Sequence, residues 1–306
     1  MSQQLFVDYH FHPNFNFRAK QKRIIQRCER IWNAFELAEL DVVICSEHAW
    51  KRPADSWHLL MKHKPKYART ILLPGVEVLT SEGIDIVVFG HCPSWYADTH
   101  LNECLEPFST PLEQVINRVT AANDATGFIP HPYTAGKTGV IKHYGREGSR
   151  DLAARLGAIE TSNNAFADTL TFTDNLIGEV FKKTQRKMVL TQQIDDEFSD
   201  DLDLDFVAVG SDAHCPKEIG YGVHLEHQRR DMKPSEAFQL MMTNKNAIGV
   251  DKLEVSKAKR FRRVWRSAAV TFREYMEKQQ IKGRMRRAAK RCQPELVEVE
   301  NVESLV

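Results

Sequence analysis

A chain of 306 residues with 42% apolar side chains is too long for a small stapled module; it fits one large α/β domain with an appendage, or two ordinary domains. No stretch approaches the roughly 20 apolar residues of a membrane helix, and the start, MSQQLFVDYH, lacks the basic opening and long apolar run of a secretion signal. The net charge of +1 hides a split: residues 257–291 hold fourteen Lys or Arg against Glu274 and Glu277, the last fifteen residues hold four Glu, and the first 256 are left at −7.

In chain order, residues 5–9 (LFVDY) predict a first strand. Ile24, Cys28, Ile31, Trp32 and Phe35 recur at three- and four-residue spacing and predict a helix over 18–40. Residues 41–45 (DVVIC) predict a second strand, and the polar stretch 51–69 a loop with a short helix. Strands are expected at 71–79 and 84–89, split by Ser81-Glu82-Gly83. Thr110 as cap, Pro111 at the first helical position and Glu113 completing a T-x-x-E box predict a helix that stops at Gly127. Further strands are expected at 128–130, 157–160, 187–191 and 206–209, and helices at 149–156, 174–186 and 234–245. The acidic stretch 195–205 reads as a solvated loop. This alternation of strand and helix argues for a parallel sheet or barrel, because parallel neighbours need helical crossovers.

Short apolar runs are followed by side chains that bind metals. His10 and His12 stand in VDYHFHP, Glu47 and His48 in VVICSEHAW, Glu77 in LLPGVEVLT, His91 in IVVFGHCP, His131 in GFIPHPY, and Asp212 and His214 in VAVGSDAHCP. On a strand, His10 and His12 share a face because side chains alternate with period 2, and Asp212 and His214 have the same spacing. Imidazole suits Zn, Fe and Mn, while carboxylates suit harder cations and can bridge two of them. The mixture is what a cluster of two or three divalent ions needs, and its histidine count argues against Mg alone. In a barrel, reactive residues lie at the C-terminal ends of strands. His10, Glu47, His48, His91, His131 and Asp212 fit that rule; Glu77 fits it less well, since it falls inside its strand.

The ordered set DYHFH, SEH, PGVEV, IPHP and GSDAH, between about residues 7 and 216, resembles the polymerase and histidinol phosphatase (PHP) family. The resemblance implies a distorted (β/α)7 TIM-like barrel over residues 1–255, with up to three ions in its mouth. His10, His12, Glu77 and Asp212 would hold the first ion. Glu77 would bridge to a second, shared with His131 and His91, and His48 and His214 would hold a third. Ser46-Glu47-His48 stands where the family usually has T-D-H, so Glu47 offers a carboxylate one methylene further out. Arg18 stands where some relatives carry another histidine; a guanidinium has no lone pair for a metal. It either clamps a substrate phosphate through its planar fork or lies at the surface.

The activity implied is metal-dependent phosphoester hydrolysis, in which ions generate hydroxide from a bridging water and neutralise phosphoryl oxygens. No nucleophilic side chain is needed, and the leaving group would be protonated by a metal-bound water, or by His48 or His214 where the third site is empty. Asp8 is expected either to orient an imidazole or to pair as a strand-end charge. Lys137, Lys142, His143, Arg146 and Arg150, after His131, either bind anions or are simply solvated.

Residues 256–306 form a separate basic tail ending in a short acidic segment. Phe261, Val264, Trp265, Ala268, Ala269, Phe272 and Met276 make the apolar stripe of an amphipathic helix whose other face is Arg-rich. Three readings stay open: a helix docked on the barrel, an electrostatic footprint for nucleic acid, or a helix for a membrane surface or a protein partner. The substrate readings follow: an exonuclease or nucleotide-end phosphatase, a small-molecule phosphatase with a structural tail, or a metal-binding regulatory subunit with little activity. Six cysteines without a C-x-x-C pair predict reduced thiols in a cytoplasmic protein.

Overall fold

The structure, a computed structural model, describes residues 3–97, 99–132, 139–164, 202–227, 232–246, 248–252, 269 and 272–287. The chain divides into two units, 1–267 and 268–306. In the first unit, β1 (Gln3–Phe11), β2 (Val42–His48) and β3 (Ile71–Leu79) are the parallel centre of a curled sheet. β4 (Asp85–Gly90) lies antiparallel to β3, and β5 (Ala125–Phe128) antiparallel to β4. β6 (Ala158–Asn163) and β7 (Phe206–Gly210) form a separate parallel pair. β8 (Tyr221–His227) closes the other flank antiparallel to β1, with the two-residue β9 (Val250–Asp251) on its outer edge. Single bridges join Ile129 to Ile159 and Phe11 to Ala213.

The expected (β/α)7 barrel is therefore corrected: among the described residues the sheet is mixed and curls into half a barrel. The link between β3 and β4 shows why. It runs only from Thr80 to Ile84, where Thr80 N–H donates to Ile84 O at 2.9 Å and Gly83 takes a φ of 91° that side chains avoid. A parallel crossover needs about a dozen residues, so so short a link makes a hairpin. β8, which the sequence reading passed over, supplies a second antiparallel flank.

α1 (Gln21–Leu37) buries Cys28, Ile31, Trp32 and Phe35, the stripe seen in the sequence, and Trp32 Nε1 donates to Leu60 O of α2 (Pro53–Lys62) at 3.0 Å. After the short α3 (Thr99–Asn102), α4 (Leu112–Thr120) begins differently from expectation. Pro111 occupies the cap position, and Thr110 Oγ1 donates to Glu103 O instead of capping. The free Leu112 N–H is taken by the Glu82 carboxylate at 3.1 Å. The helix stops at Ala121, and Gly127 sits inside β5, where a Cβ would meet Val87 O at 2.7 Å. α5 (Ile141–Leu156) is kinked at Gly145, and α6 (Pro234–Met241) follows β8. The expected elements at 174–186 and 187–191 lie outside the described residues.

Strand alternation sorts the core and then the site. Val42 and Ile44 of β2 pack with Val7, Tyr9, Leu73 and Phe89. Val43 and Cys45 face the other way, toward Trp32 and Phe35 of α1. The same parity sets His48 on the side of Ile44, Glu77 on the side of Leu73, and Glu47 on the side of Cys45.

In the second unit, residues 272–287 are helical, Arg273 Nε lies 3.6 Å from Glu277 Oε1 one turn on, and Phe272, Tyr275 and Met276 are exposed. Phe261, Val264, Trp265 and Ala268 of the expected stripe lie outside the described residues. Among the described residues no helix is long and apolar enough to cross a membrane.

Candidate metal centre

The ends of β1, β2 and β3 and the segments after β5 and β7 deliver seven donor side chains to one buried place. His10 Nε2 lies 2.9 Å from His12 Nε2, 3.6 Å from Glu77 Oε1 and 3.8 Å from Asp212 Oδ1. His12 Nε2 is 3.2 Å from Asp212 Oδ1. Glu77 presents Oε1 to His131 Nε2 at 3.0 Å and Oε2 to His48 Nδ1 at 2.5 Å. His214 Nε2 stands 3.3 Å from His48 Nε2. Three overlapping groups result, each with its donor atoms within 4.8 Å of one another: His10–Glu77–His131, His10–His12–Asp212 and His12–His48–His214.

The donor set fits divalent cations. Ring nitrogen faces ring nitrogen twice, His10 against His12 and His48 against His214. Each facing pair can share only one proton, whereas a cation satisfies both lone pairs. Donor atoms around a tetrahedral ion with bonds of about 2.0–2.1 Å sit about 3.3 Å apart, within the observed 2.9–3.8 Å. His12 Nδ1 is buried without a hydrogen-bond partner, its nearest carboxylate oxygen being Glu47 Oε1 at 3.9 Å.

The electrostatics point the same way. Burial opposes ionisation of Glu77, yet the His48, His10 and His131 rings outweigh it and hold the carboxyl well below its usual range. Asp212 is likewise lowered against its burial, chiefly by His10 and His12. Burial, reinforced by His48 and His214, keeps His12 well below the ordinary imidazole value and so neutral. Burial also works against charging His10, but the Glu160 and Asp212 carboxylates raise it well above normal. The two carboxylates and His12 are thus already in the forms that donate to a metal, while His10 releases a proton when it binds one.

The backbone is shaped to present these groups. His131 (φ 29°) and Asp212 (φ 48°) lie in the left-handed region, which costs about 1–3 kcal/mol each for a non-glycine residue. His131 N–H is held by Glu160 Oε2 at 2.7 Å, and Asp212 N–H by His10 O at 2.7 Å. Asp8 accepts from His10 N–H and Ser211 N–H on Oδ1 and from Ser211 Oγ on Oδ2 at 2.6 Å. It thus fastens the GSDAH segment to β1 and touches no imidazole ring; burial, partly offset by those bonds, pushes its carboxyl up to about 7. His214 Nδ1 lies 2.8 Å from Asp212 O, a pure acceptor, so Nδ1 carries the hydrogen and Nε2 faces His48.

Of the residues singled out in the sequence, His10, His12, His48, Glu77, His131, Asp212 and His214 come together. Glu47, Arg18 and His91 join none of the three groups. Glu47 follows the opposite strand parity; its Oε2 accepts from Asn14 N–H at 2.5 Å. Arg18 is exposed in a turn, its N–H bonded to Asn16 Oδ1. His91 follows β4, which runs antiparallel to β3 with Phe89 level with Gly75. It is thus carried to the level of Leu73, about 13 Å along the strand from Glu77 at about 3.3 Å per residue, and its ring lies 5.7 Å from that of Phe238. Lys142, His143 and Arg146 are exposed at the start of α5, Arg150 is half-buried, and Lys137 lies outside the described residues.

Sequence reasoning missed Glu160. It is 1% exposed at the end of the run Ala158-Ile159, with Oε1 3.2 Å from His10 Nδ1. The signal was the one used elsewhere, an acid closing an apolar strand.

No protein-family model and no curated protein sequence matches the chain. Among solved structures it is similar to the crystal structure of PsfC from Pseudomonas syringae PB-5123, with a TM-score of 0.53 and 18% identity over 89% of this chain and 99% of that one. It is also similar to the lesion-specific endonuclease PfuEndoQ from Pyrococcus furiosus, with a TM-score of 0.47 and 13% identity over 78% of this chain and 56% of that one. A third similar structure is Endonuclease Q in complex with a 27-mer duplex substrate with an abasic lesion at the active site, at a TM-score of 0.45 and 13% identity. The first likeness is one of fold; the alignments to the endonucleases cover just over half of those chains.

Proposed function

We propose that this chain is a metal-dependent phosphoesterase of the PHP type, holding two or three divalent ions between His10, His12, His48, Glu77, His131, Asp212 and His214. The observation that carries this reading is Glu77. Its two oxygens face different imidazoles, His131 and His10 on one side and His48 on the other. A buried carboxylate set between two donor groups is what a ligand bridging two ions requires. The order and spacing of the five motifs support the same reading independently of the geometry.

Ions in such a site polarise water and neutralise charge on a phosphoryl group. The chain's own residues would supply the rest. Glu77 and Asp212 hold negative charge in a place that burial would otherwise keep neutral. His214 is 12% exposed, at the edge of the cluster; where no third ion is held, its ring would take up a second proton on Nε2 and give it to a leaving oxygen. Asp8 and Ser211 keep the segment bearing Asp212 and His214 in register with β1. The test is a hydrolysis screen with Mn, Zn or Fe over phosphomonoesters, phosphodiesters and short DNA and RNA. Turnover of any phosphate ester that chelation abolishes supports the reading; a metal-loaded protein without turnover on all of them sinks it and favours a regulatory subunit.

Nucleic acid is the substrate class we favour, on the charge of the tail. The helix 272–287 alone carries Arg273, Lys278, Lys282, Arg284, Arg286 and Arg287 against two glutamates, beside exposed Phe272 and Tyr275. Such a surface releases counterions on binding a polyanion. Ending the chain at residue 256 should leave turnover of a small chromogenic phosphate within about twofold. It should weaken binding of single-stranded DNA or RNA steeply, with a shallower dependence on salt. Equal nucleic-acid affinity in the two chains would leave a small-molecule phosphatase as the better description.

A further inference from the structure

We infer that Glu160 is a positioning residue of the metal centre, selecting which nitrogen of His10 is offered to the ion while fixing the backbone that carries His131. The inference rests on the metal-centre reading above and extends it to a residue outside the donor groups. Glu160 spends its two oxygens differently. Oε2 accepts two hydrogens, from His131 N–H at 2.7 Å and from Asn163 Nδ2 at 3.0 Å. Oε1 is left to face His10 Nδ1 at 3.2 Å. A carboxylate only accepts, so His10 must present N–H at Nδ1. Once an ion replaces the second ring proton, the Nε2 lone pair is the one offered to the space shared with His12, Glu77 and Asp212. The other consequence concerns His131, whose backbone is in the left-handed region at φ 29° and whose amide is held there by the same carboxylate. One buried side chain from β6 thus governs a ligand on β1 and a ligand after β5.

The arrangement forces the behaviour of an isosteric variant. In Glu160→Gln the amide oxygen must stay at the Oε2 position, because two donors converge on it. The NH2 group is then turned toward His10 Nδ1. That donor asks for a lone pair at Nδ1 and moves the ring hydrogen to Nε2, the nitrogen the ion needs. The variant keeps the hold on His131 and reverses the demand on His10, which separates positioning from mere packing.

Zinc affinity is measured by competition with a chromogenic chelator, and melting in the metal-free state by circular dichroism. Glu160→Gln should melt within a few degrees of wild type and bind zinc about 10–100-fold more weakly, the usual effect of losing a group that orients a histidine ligand. A Glu160→Gln protein that folds and binds zinc as tightly as wild type overturns the inference. A second measurement needs no variant: nitrogen-15 NMR of the histidine rings in zinc-loaded wild type should show His10 protonated at Nδ1 with Nε2 on the metal. The opposite assignment overturns the inference even if Glu160→Gln does not fold. Absence of zinc binding by wild type is a separate outcome, which removes the metal-centre reading itself and this inference with it.

Discussion

Glu77→Gln is expected to lower kcat for phosphate-ester hydrolysis by at least about 10²–10³-fold, the range seen when one group that stabilises charge is removed from a pre-organised site. The substitution keeps the volume of a side chain that is 2% exposed, so the fold should survive it. The lost charge is what matters. Three imidazoles lean on this carboxylate, from His10, His48 and His131, and together hold it ionised against its burial. A neutral amide has one acceptor and one donor. Facing His48 Nδ1 and His131 Nε2, it can still bond both rings, but its NH2 has no lone pair for a metal, so it cannot bridge two cations. Metal content should fall in parallel, from two or three equivalents by about one. A variant that turns over at half the wild-type rate or better, with its metal intact, would falsify the assignment of Glu77 as the bridge.

Gly210→Ala is the second large expectation, and it acts through packing. A Cβ at this position would sit 2.3 Å from His10 Cβ, 2.6 Å from Glu160 Oε1 and 3.0 Å from the His10 backbone nitrogen. Only Glu160 Oε1 is the end of a side chain, and its other oxygen is held by His131 N–H and Asn163. His10 Cβ and N are tied to β1, and Glu160 Oε1 faces the His10 ring. Overpacking of this kind costs about 1–3 kcal/mol, measurable as a shift in denaturation midpoint. The shift is aimed at the site: β1 must move away from β7, and a misplacement of about 1 Å can cost about 10²-fold in rate. Gly283→Ala is the control, since its Cβ would have nothing closer than Arg287 Nη1 at 3.9 Å, in the tail helix. It should leave turnover unchanged. Equal stability and turnover in Gly210→Ala would show that β1 and β7 are not packed as described.

The donor residues were legible because period-2 alternation is a local property. Once Val42 and Ile44 are known to face the core, His48 must follow them and Glu47 must not. Pairing direction is not local, and the errors concentrate there. His91 follows an apolar strand as convincingly as His131 does, but β4 returns antiparallel and carries it to the other end of the sheet. The five-residue link Thr80–Ile84, too short for a crossover helix, carried that information and with it the failure of the parallel barrel. β8 was hidden because His224, Glu226 and His227 break up a short run in which only Val223 and Leu225 remain to alternate. The capping box at Thr110 had the right letters, yet Glu82, remote in sequence, took the amide that the box would have served. Glu160 was open to the same reasoning as Glu77.

The most direct measurement is anomalous diffraction at the zinc edge from crystals loaded with zinc. Peaks are expected within about 2.0–2.2 Å of the His10, His12, Glu77, His131 and Asp212 donor atoms, with a further one between His48 and His214. A protein that takes up zinc while these side chains stay bare, its anomalous peaks lying elsewhere, would contradict the shared centre.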